Sequence, residues 1–119
     1  GTPIDLITWK DGEMHGEYVN WYSNGNKRCE HNYQDGKPHG VCITWHENGQ
    51  KETHSNYQYG RREGKTMGWY ENGQIQYEDN YEDGLLDGYS VSFRENGSKR
   101  KEENYKHGFC WNRTNHVEG

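Results

Sequence analysis

The stretch GWYENGQIQYEDNYEDG, residues 68–84, sets Trp69-Tyr70 before Asn72-Gly73 and Tyr81 before Asp83-Gly84. An aromatic pair beside a tight turn marks either a ligand site or scaffold. A site usually occurs once, whereas scaffold in a repeat protein returns at a fixed period. Asn-Gly falls at 24–25, 48–49, 72–73 and 96–97, a 24-residue step. The same step carries Gly16, Gly40, Gly64 and Gly88; Asn32, Asn56, Asn80 and Asn104; Tyr33, Tyr57, Tyr81 and Tyr105; and Gly36, Gly60, Gly84 and Gly108. The aromatic before the turn is Trp21, Trp45, Trp69 and then Phe93. Residues 1–15 read as part of an earlier unit, 16–39, 40–63, 64–87 and 88–111 as four units, and 112–119 as a remnant. The chain 1–119 is therefore expected to be a single repeat domain without a linker.

Only 28% of residues are hydrophobic and the mean hydropathy is −1.50, values that approach those of disordered chains. The repeat argues against disorder. Five Trp, ten Tyr and two Phe recur in register, so burial must come mainly from large amphipathic rings. Net charge is −5 and the basic residues are scattered, which gives no footprint for nucleic acid and makes a membrane surface an unfavourable partner. No apolar run is long enough to span a bilayer or to serve as a secretion signal, so the expected compartment is the cytoplasm. Cys29, Cys42 and Cys110 form no spaced framework and are expected to be free thiols.

Asn-Gly between alternating residues is the strongest short hairpin signal, and Asp-Gly at 11–12, 35–36 and 83–84 supplies the second set of turns. Each unit is thus two antiparallel strands, and the fold class is all-β, a repetitive hairpin meander of about ten strands in one twisted sheet. A three-residue loop at Ser23-Asn24-Gly25, with Gly25 left-handed, pairs Tyr22 with Asn26 and Trp21 with Lys27. If Gln34-Asp35-Gly36 turns likewise, odd positions share one face throughout. Trp21, Trp45, Trp69 and Phe93 then lie with Tyr33, Tyr57, Tyr81 and Tyr105, and glutamates and asparagines fill the other face. Cys29 and Cys42 fall on opposite faces. This register drifts two residues per unit and predicts tilted strands in a coiled trough.

The pairs DGEMHG (11–16) and DGKPHG (35–40), with WYENG (69–73) and NYEDG (80–84), resemble the MORN repeat. More closely they resemble its bacterial variant found in YwqK-family antitoxins, with an aromatic pair, x-Asn-Gly, a Glu and then Tyr-x-x-Gly. The resemblance covers nearly the whole chain and implies a hairpin sheet that acts as a scaffold or binding protein. Departures are His46 and Arg94 where other units have Tyr22 and Tyr70, His54 in place of Glu, and the ending FCWNRTNHVEG.

Recurring residues are expected to build the scaffold, and departures from the repeat to carry function. The expected binding surface is the aromatic face, Trp21, Trp45, Trp69, Phe93, Tyr33, Tyr57, Tyr81 and Tyr105, because a single-layer sheet leaves apolar area for a partner. The asparagine ladder is read as hydrogen bonding to turn backbone. The expected register sets His31 against His39 and Glu17, with Cys29 diagonal to His39. A thiol and two imidazoles are zinc-ligand types. No CxxC or HxxxH spacing supports a metal at Cys29, His31 and His39, so neither metal nor cofactor is expected. Catalytic residues are expected to be absent, since no Ser-His-Asp order, phosphate loop or carboxylate pair stands outside the repeat. The function that follows is a non-enzymatic scaffold binding a protein partner or itself, with an antitoxin-like role as its specific form. A glycan- or choline-binding cell-wall module, suggested by Gly-Trp and Trp-Tyr steps, and a structural component of a viral or phage particle are the alternatives.

Overall fold

The computed structural model describes residues 5–117, and there the turn signals delimit strands and no helix forms. Among the described residues no helix is long and apolar enough to cross a membrane. The strands are β1 (Asp5–Lys10), β2 (Glu13–Trp21), β3 (Lys27–Gln34), β4 (Lys37–Pro38), β5 (Gly40–Trp45), β6 (Lys51–Gln58) and β7 (Arg61–Arg62). They continue with β8 (Gly64–Trp69), β9 (Ile75–Glu82), β10 (Leu85–Leu86), β11 (Gly88–Phe93), β12 (Lys99–Lys106) and β13 (Phe109–Asn115). Ten of them follow one another in chain order through a single antiparallel sheet, while the two-residue strands β4, β7 and β10 pair antiparallel with the ends of β3, β6 and β9. Principal extents of 51 × 34 × 12 Å describe one layer with nothing stacked on it.

The Asn-Gly turns form as their sequence dictates. The Tyr22 carbonyl accepts the Gly25 N–H at 3.0 Å, and the Tyr22 N–H donates to the Asn26 carbonyl at 2.8 Å. This is a three-residue loop closed by a glycine bulge, repeated at Gly49, Gly73 and Gly97, with φ of 92°, 92°, 88° and 91° in chain order. At Gly73 the constraint is double, because φ is positive and a Cβ would lie 2.9 Å from Gln50 Oε1. Gly73→Ala is expected to cost about 1 kcal/mol. An unchanged melting temperature would contradict the bulge.

The second turns differ from expectation. Gln34 pairs with Lys37, leaving only Asp35 and Gly36 in the loop, with φ of 51° and 79°. This is a two-residue type I′ turn, the form that Asp-Gly favours because its twist matches that of the strands. Tyr59-Gly60 and His107-Gly108 adopt the same left-handed pair. A second departure lies inside the hairpins. Trp21 pairs with Lys27 as expected, but Asn20 pairs with Cys29, so Arg28 is an inserted residue. Glu52, Gln76 and Arg100 are inserted at the equivalent positions. A one-residue insertion reverses the facing of everything beyond it. A kink follows the type I′ turn at Asp35-Gly36: the His39 N–H still bonds to the Asn32 carbonyl, whereas Glu30 pairs with Ile43, so two residues are gained around Gly40; after His107-Gly108 the gain is one residue.

With the shorter turn, bulge and kink combined, pairing advances 24 residues for every two strands, and the expected drift is absent. Tyr18 lies opposite His31, which meets Cys42. Equivalent residues of successive units therefore stand abreast, and ladders of hydrogen bonds link them. The Gly36, Gly60, Gly84 and Gly108 N–H groups donate to the Met14, Pro38, Arg62 and Leu86 carbonyls at 2.7–2.9 Å. Asn24, Asn48 and Asn72 donate from Nδ2 to the carbonyls of Glu47, Glu71 and Glu95 at 2.9, 2.9 and 3.0 Å. Each of these asparagines satisfies its own turn through Oδ1 and the next turn through Nδ2.

Candidate binding surface

Directly opposed residues share a face, so the register assigns each side chain. On one face Trp21, Trp45, Trp69 and Phe93 alternate across the strands with Lys27, Lys51, Ile75 and Lys99. Beside them Val19, Ile43, Met67 and Val91 alternate with Glu30, His54, Glu78 and Glu102. Val19 and Val91 are only 2% and 4% exposed, and burial is shared with the opposite face, where Cys42, Ser55, Thr66, Ser90 and Glu103 are also buried. Lys27 Nζ stands 5.9 Å over the Trp45 ring and 3.4 Å from Glu30, and Lys99 pairs with Glu102 at 2.9 Å. The pattern changes little from unit to unit, as scaffold should.

Tyr33, Tyr57, Tyr81 and Tyr105 occupy the other face, opposite Gly16, Gly40, Gly64 and Gly88. The expected single aromatic face is thus corrected to two: the inserted residues turn the tyrosines away from the tryptophans. Next to the tyrosines runs a row that changes at almost every step, Tyr18, His31, Cys42, Ser55, Thr66, Asp79, Ser90, Glu103 and Arg113. Its members hold one another. Cys42 Sγ lies 3.1 Å from His31 Nδ1, Ser90 Oγ donates to Asp79, and Arg113 donates to Glu103 from Nε at 2.7 Å. Burial pushes the Cys42 thiol up to about 11 and lowers His31, so the pair is neutral.

The expected grouping of Cys29, His31 and His39 does not form. His31 faces Tyr18 and Cys42 in place of Glu17 and His39, while His39 Nδ1 accepts the Tyr59 N–H at 3.2 Å. Among the described residues no group of three His, Cys, Asp or Glu is placed to hold a metal ion. Cys29 and Cys42 share the tyrosine face, contrary to the expected opposition, and none of the three cysteines is in a disulfide. Cys42 is the buried one. Cys29 and Cys110 should therefore react with a thiol reagent in the native state and Cys42 only on unfolding, an order that peptide mapping checks; early labelling of Cys42 would contradict its placement.

Several departures from the repeat turn out to be structural. Tyr22 and Tyr70 donate their hydroxyls to the Trp45 and Phe93 carbonyls, each at 2.7 Å, and His46 Nε2 meets the Trp69 carbonyl at 2.8 Å. Arg94 reaches the His116 carbonyl in the same way. Asn32 and Asn80 bond to the backbone of Val41 and Tyr89, just past the kinks and not at the turns.

Arg62, by contrast, was hidden among turn cations. It belongs to the series Met14, Pro38, Arg62, Leu86, Cys110, of which it is the one cation. Its pairing with Tyr57 places it on the tyrosine face, where Nε donates to Tyr57 Oη and Nη1 to Tyr81 Oη, both at 3.2 Å. Aligning the units at 24 residues would have exposed this departure.

No curated protein matches the chain. The family model described as MORN repeat variant matches residues 14–35, 38–59, 62–83 and 86–107, each match running from just before one kink to the following type I′ turn. Four tandem matches take in most of the sequence and coincide with the structural period, so the chain belongs to the MORN repeat variant family.

Proposed function

We propose that this chain is a non-enzymatic scaffold that binds a protein partner, and that the tyrosine face makes the contact. One observation carries the reading: Tyr33, Tyr57, Tyr81 and Tyr105 keep part of their surface exposed on one face, beside a row that changes from unit to unit and whose Cys42, Ser55, Thr66, Ser90 and Glu103 are buried. Tyr33, Tyr57, Tyr81 and Tyr105 then supply rigid amphipathic contact area. Trp21, Trp45, Trp69 and Phe93, also expected to bind, serve in this reading as the packing that holds that surface in shape.

Peptides selected from a displayed library against the folded protein provide a probe. Tyr57→Ala and Tyr81→Ala are expected to weaken such a peptide about fivefold or more, with Glu78→Ala on the opposite face changing little. Thermal melts of each variant separate contact from folding. Loss of binding with Trp45→Ala or Trp69→Ala at unchanged stability, and none with the tyrosine changes, would move the site to the tryptophan face. Saturable binding of choline or of a glycan without peptide binding would replace the proposal.

The antitoxin-like role is the finer form of this proposal and is supported by the resemblance of the repeats. It predicts that co-expression relieves the growth arrest caused by a cognate toxin, and that the Tyr57→Ala change removes the relief. Relief that survives every tyrosine change would contradict the assigned surface.

A further inference from the structure

We infer that Arg62, held between Tyr57 and Tyr81, is a carboxylate-recognition site that takes an Asp or Glu side chain of the partner protein. The inference deepens the proposed function and rests on the tyrosine face being the recognition surface.

Three observations carry it. The first is orientation. The guanidinium is tethered at both sides by the two 3.2 Å hydrogen bonds to tyrosine hydroxyls, and its carbon lies 6.0 and 5.4 Å from the Tyr57 and Tyr81 ring centroids. A side chain that ordinarily loses much rotamer freedom on binding is therefore already placed. The second is charge. Both acceptors are neutral hydroxyls, and among the described residues no carboxylate pairs with Arg62, so its positive charge is not compensated on the protein. Four lysines elsewhere in the sheet, by contrast, are paired with glutamates: Lys27 with Glu30, Lys65 with Glu78, Lys99 with Glu102 and Lys101 with Glu103. The third is donor count. Two of the five guanidinium N–H groups are used, and the remaining three stand beside two hydroxyls whose protons are free to donate, because their oxygens act as the acceptors. A planar fork flanked by O–H donors matches a carboxylate.

A phosphate on a lipid surface fits less well. A membrane-facing site gathers several cations, whereas Arg62 is the one cation in its own series, and a chain of net charge −5 is repelled by an anionic bilayer. Leu86 shows that the position tolerates an aliphatic residue in this fold, so Arg62→Leu is a usable variant.

The test uses a capped peptide with one central Glu between aromatic residues, and its Gln twin, with affinities from calorimetry in every variant and the Arg62 Nε–Hε resonance of the parent protein as the reporter of the site. The Glu peptide is expected to move that resonance and to bind about fivefold or more tightly than the Gln twin. Arg62→Leu should abolish the preference, and Arg61→Gln, which alters a neighbouring cation on the opposite face, should keep it. Equal affinity of the two peptides, no binding of either, or persistence of the preference in Arg62→Leu would overturn the assignment. So would a shift of the Arg62 resonance by phosphatidylserine vesicles but not by the Glu peptide. If tyrosine substitutions still weaken library-selected peptides while Glu and Gln are not distinguished, the carboxylate site fails and the tyrosine face stands.

Discussion

Gly68→Ala is expected to be the most damaging single-methyl change in the sheet, costing about 1–3 kcal/mol by overpacking. A Cβ at this position would lie 2.3 Å from Cε1 of Tyr77, with the ring's Cζ and Cδ1 at 2.6 and 2.9 Å. The backbone here is ordinary strand, so the glycine is required by close approach. The equivalents of Gly68 are Asn20, Thr44 and Ser92, and those of Tyr77 are Cys29, Thr53 and Lys101. Unit three has thus exchanged two middle-sized side chains for a large ring over a bare backbone. The pairing Gly68↔Tyr77 corresponds to Thr44↔Thr53, whose hydroxyls bond to each other at 2.5 Å. Combining Gly68→Thr with Tyr77→Thr copies that pair and should recover most of the loss, giving a coupling of about 1 kcal/mol or more in a double-mutant cycle. Additive losses would show that the ring does not rest on Gly68.

The second large effect is expected at the end of the array, where the sequence abandons the motif. Glu103 is 4% exposed, and Arg113 on β13 donates to its Oε2 from Nε at 2.7 Å and Nη2 at 2.6 Å, with Lys101 at 3.3 Å from Oε1. Burial alone would raise the Glu103 carboxyl, but hydrogen bonds from Tyr105, Arg113 and Lys101 outweigh it and hold the carboxyl below its usual value. Arg113→Ala should weaken the pairing of β12 with β13, because it leaves the buried Glu103 carboxylate without its two-nitrogen partner, although the 54% exposure of the Arg113 side chain screens part of the effect. The loss should appear as faster amide exchange in β13. A carboxyl held low in the folded state stabilises it fully above the unfolded carboxyl value, and that stability disappears as pH falls through the folded value. The variant should therefore begin to lose β13 protection at higher pH than the parent. Unchanged exchange would show that the latch is not needed.

The period, the hairpins and the three-residue Asn-Gly loops were legible because each has a residue that only that geometry favours, above all Gly25 and its equivalents. Facing was not legible, because the inserted residues Arg28, Glu52, Gln76 and Arg100 are ordinary polar side chains with no signature of a bulge. Two signals were nonetheless present. Asp35-Gly36 is a two-residue turn by composition, and a glycine recurring inside a strand, as Gly40 does, marks a kink. The eight aromatics were legible as a set, but their grouping depended on facing and split with it. Arg62 was readable only against Pro38 and Leu86, since by itself it looks like one more cation after a turn.

The division into a tryptophan face and a tyrosine face rests on the bulge beside Trp21, and a two-dimensional nuclear Overhauser spectrum tests it most directly. Tyr18 and His31 have ring centroids 5.9 Å apart, edge to face, so their ring protons should show strong cross-peaks. His31 should likewise contact Cys42 Hβ protons, as the 3.1 Å approach of its Nδ1 to Sγ requires. Cross-peaks from His31 to Glu17 and His39, with none to Tyr18 or Cys42, would restore an unbroken register, return Tyr33 and Trp21 to one face, and contradict the account.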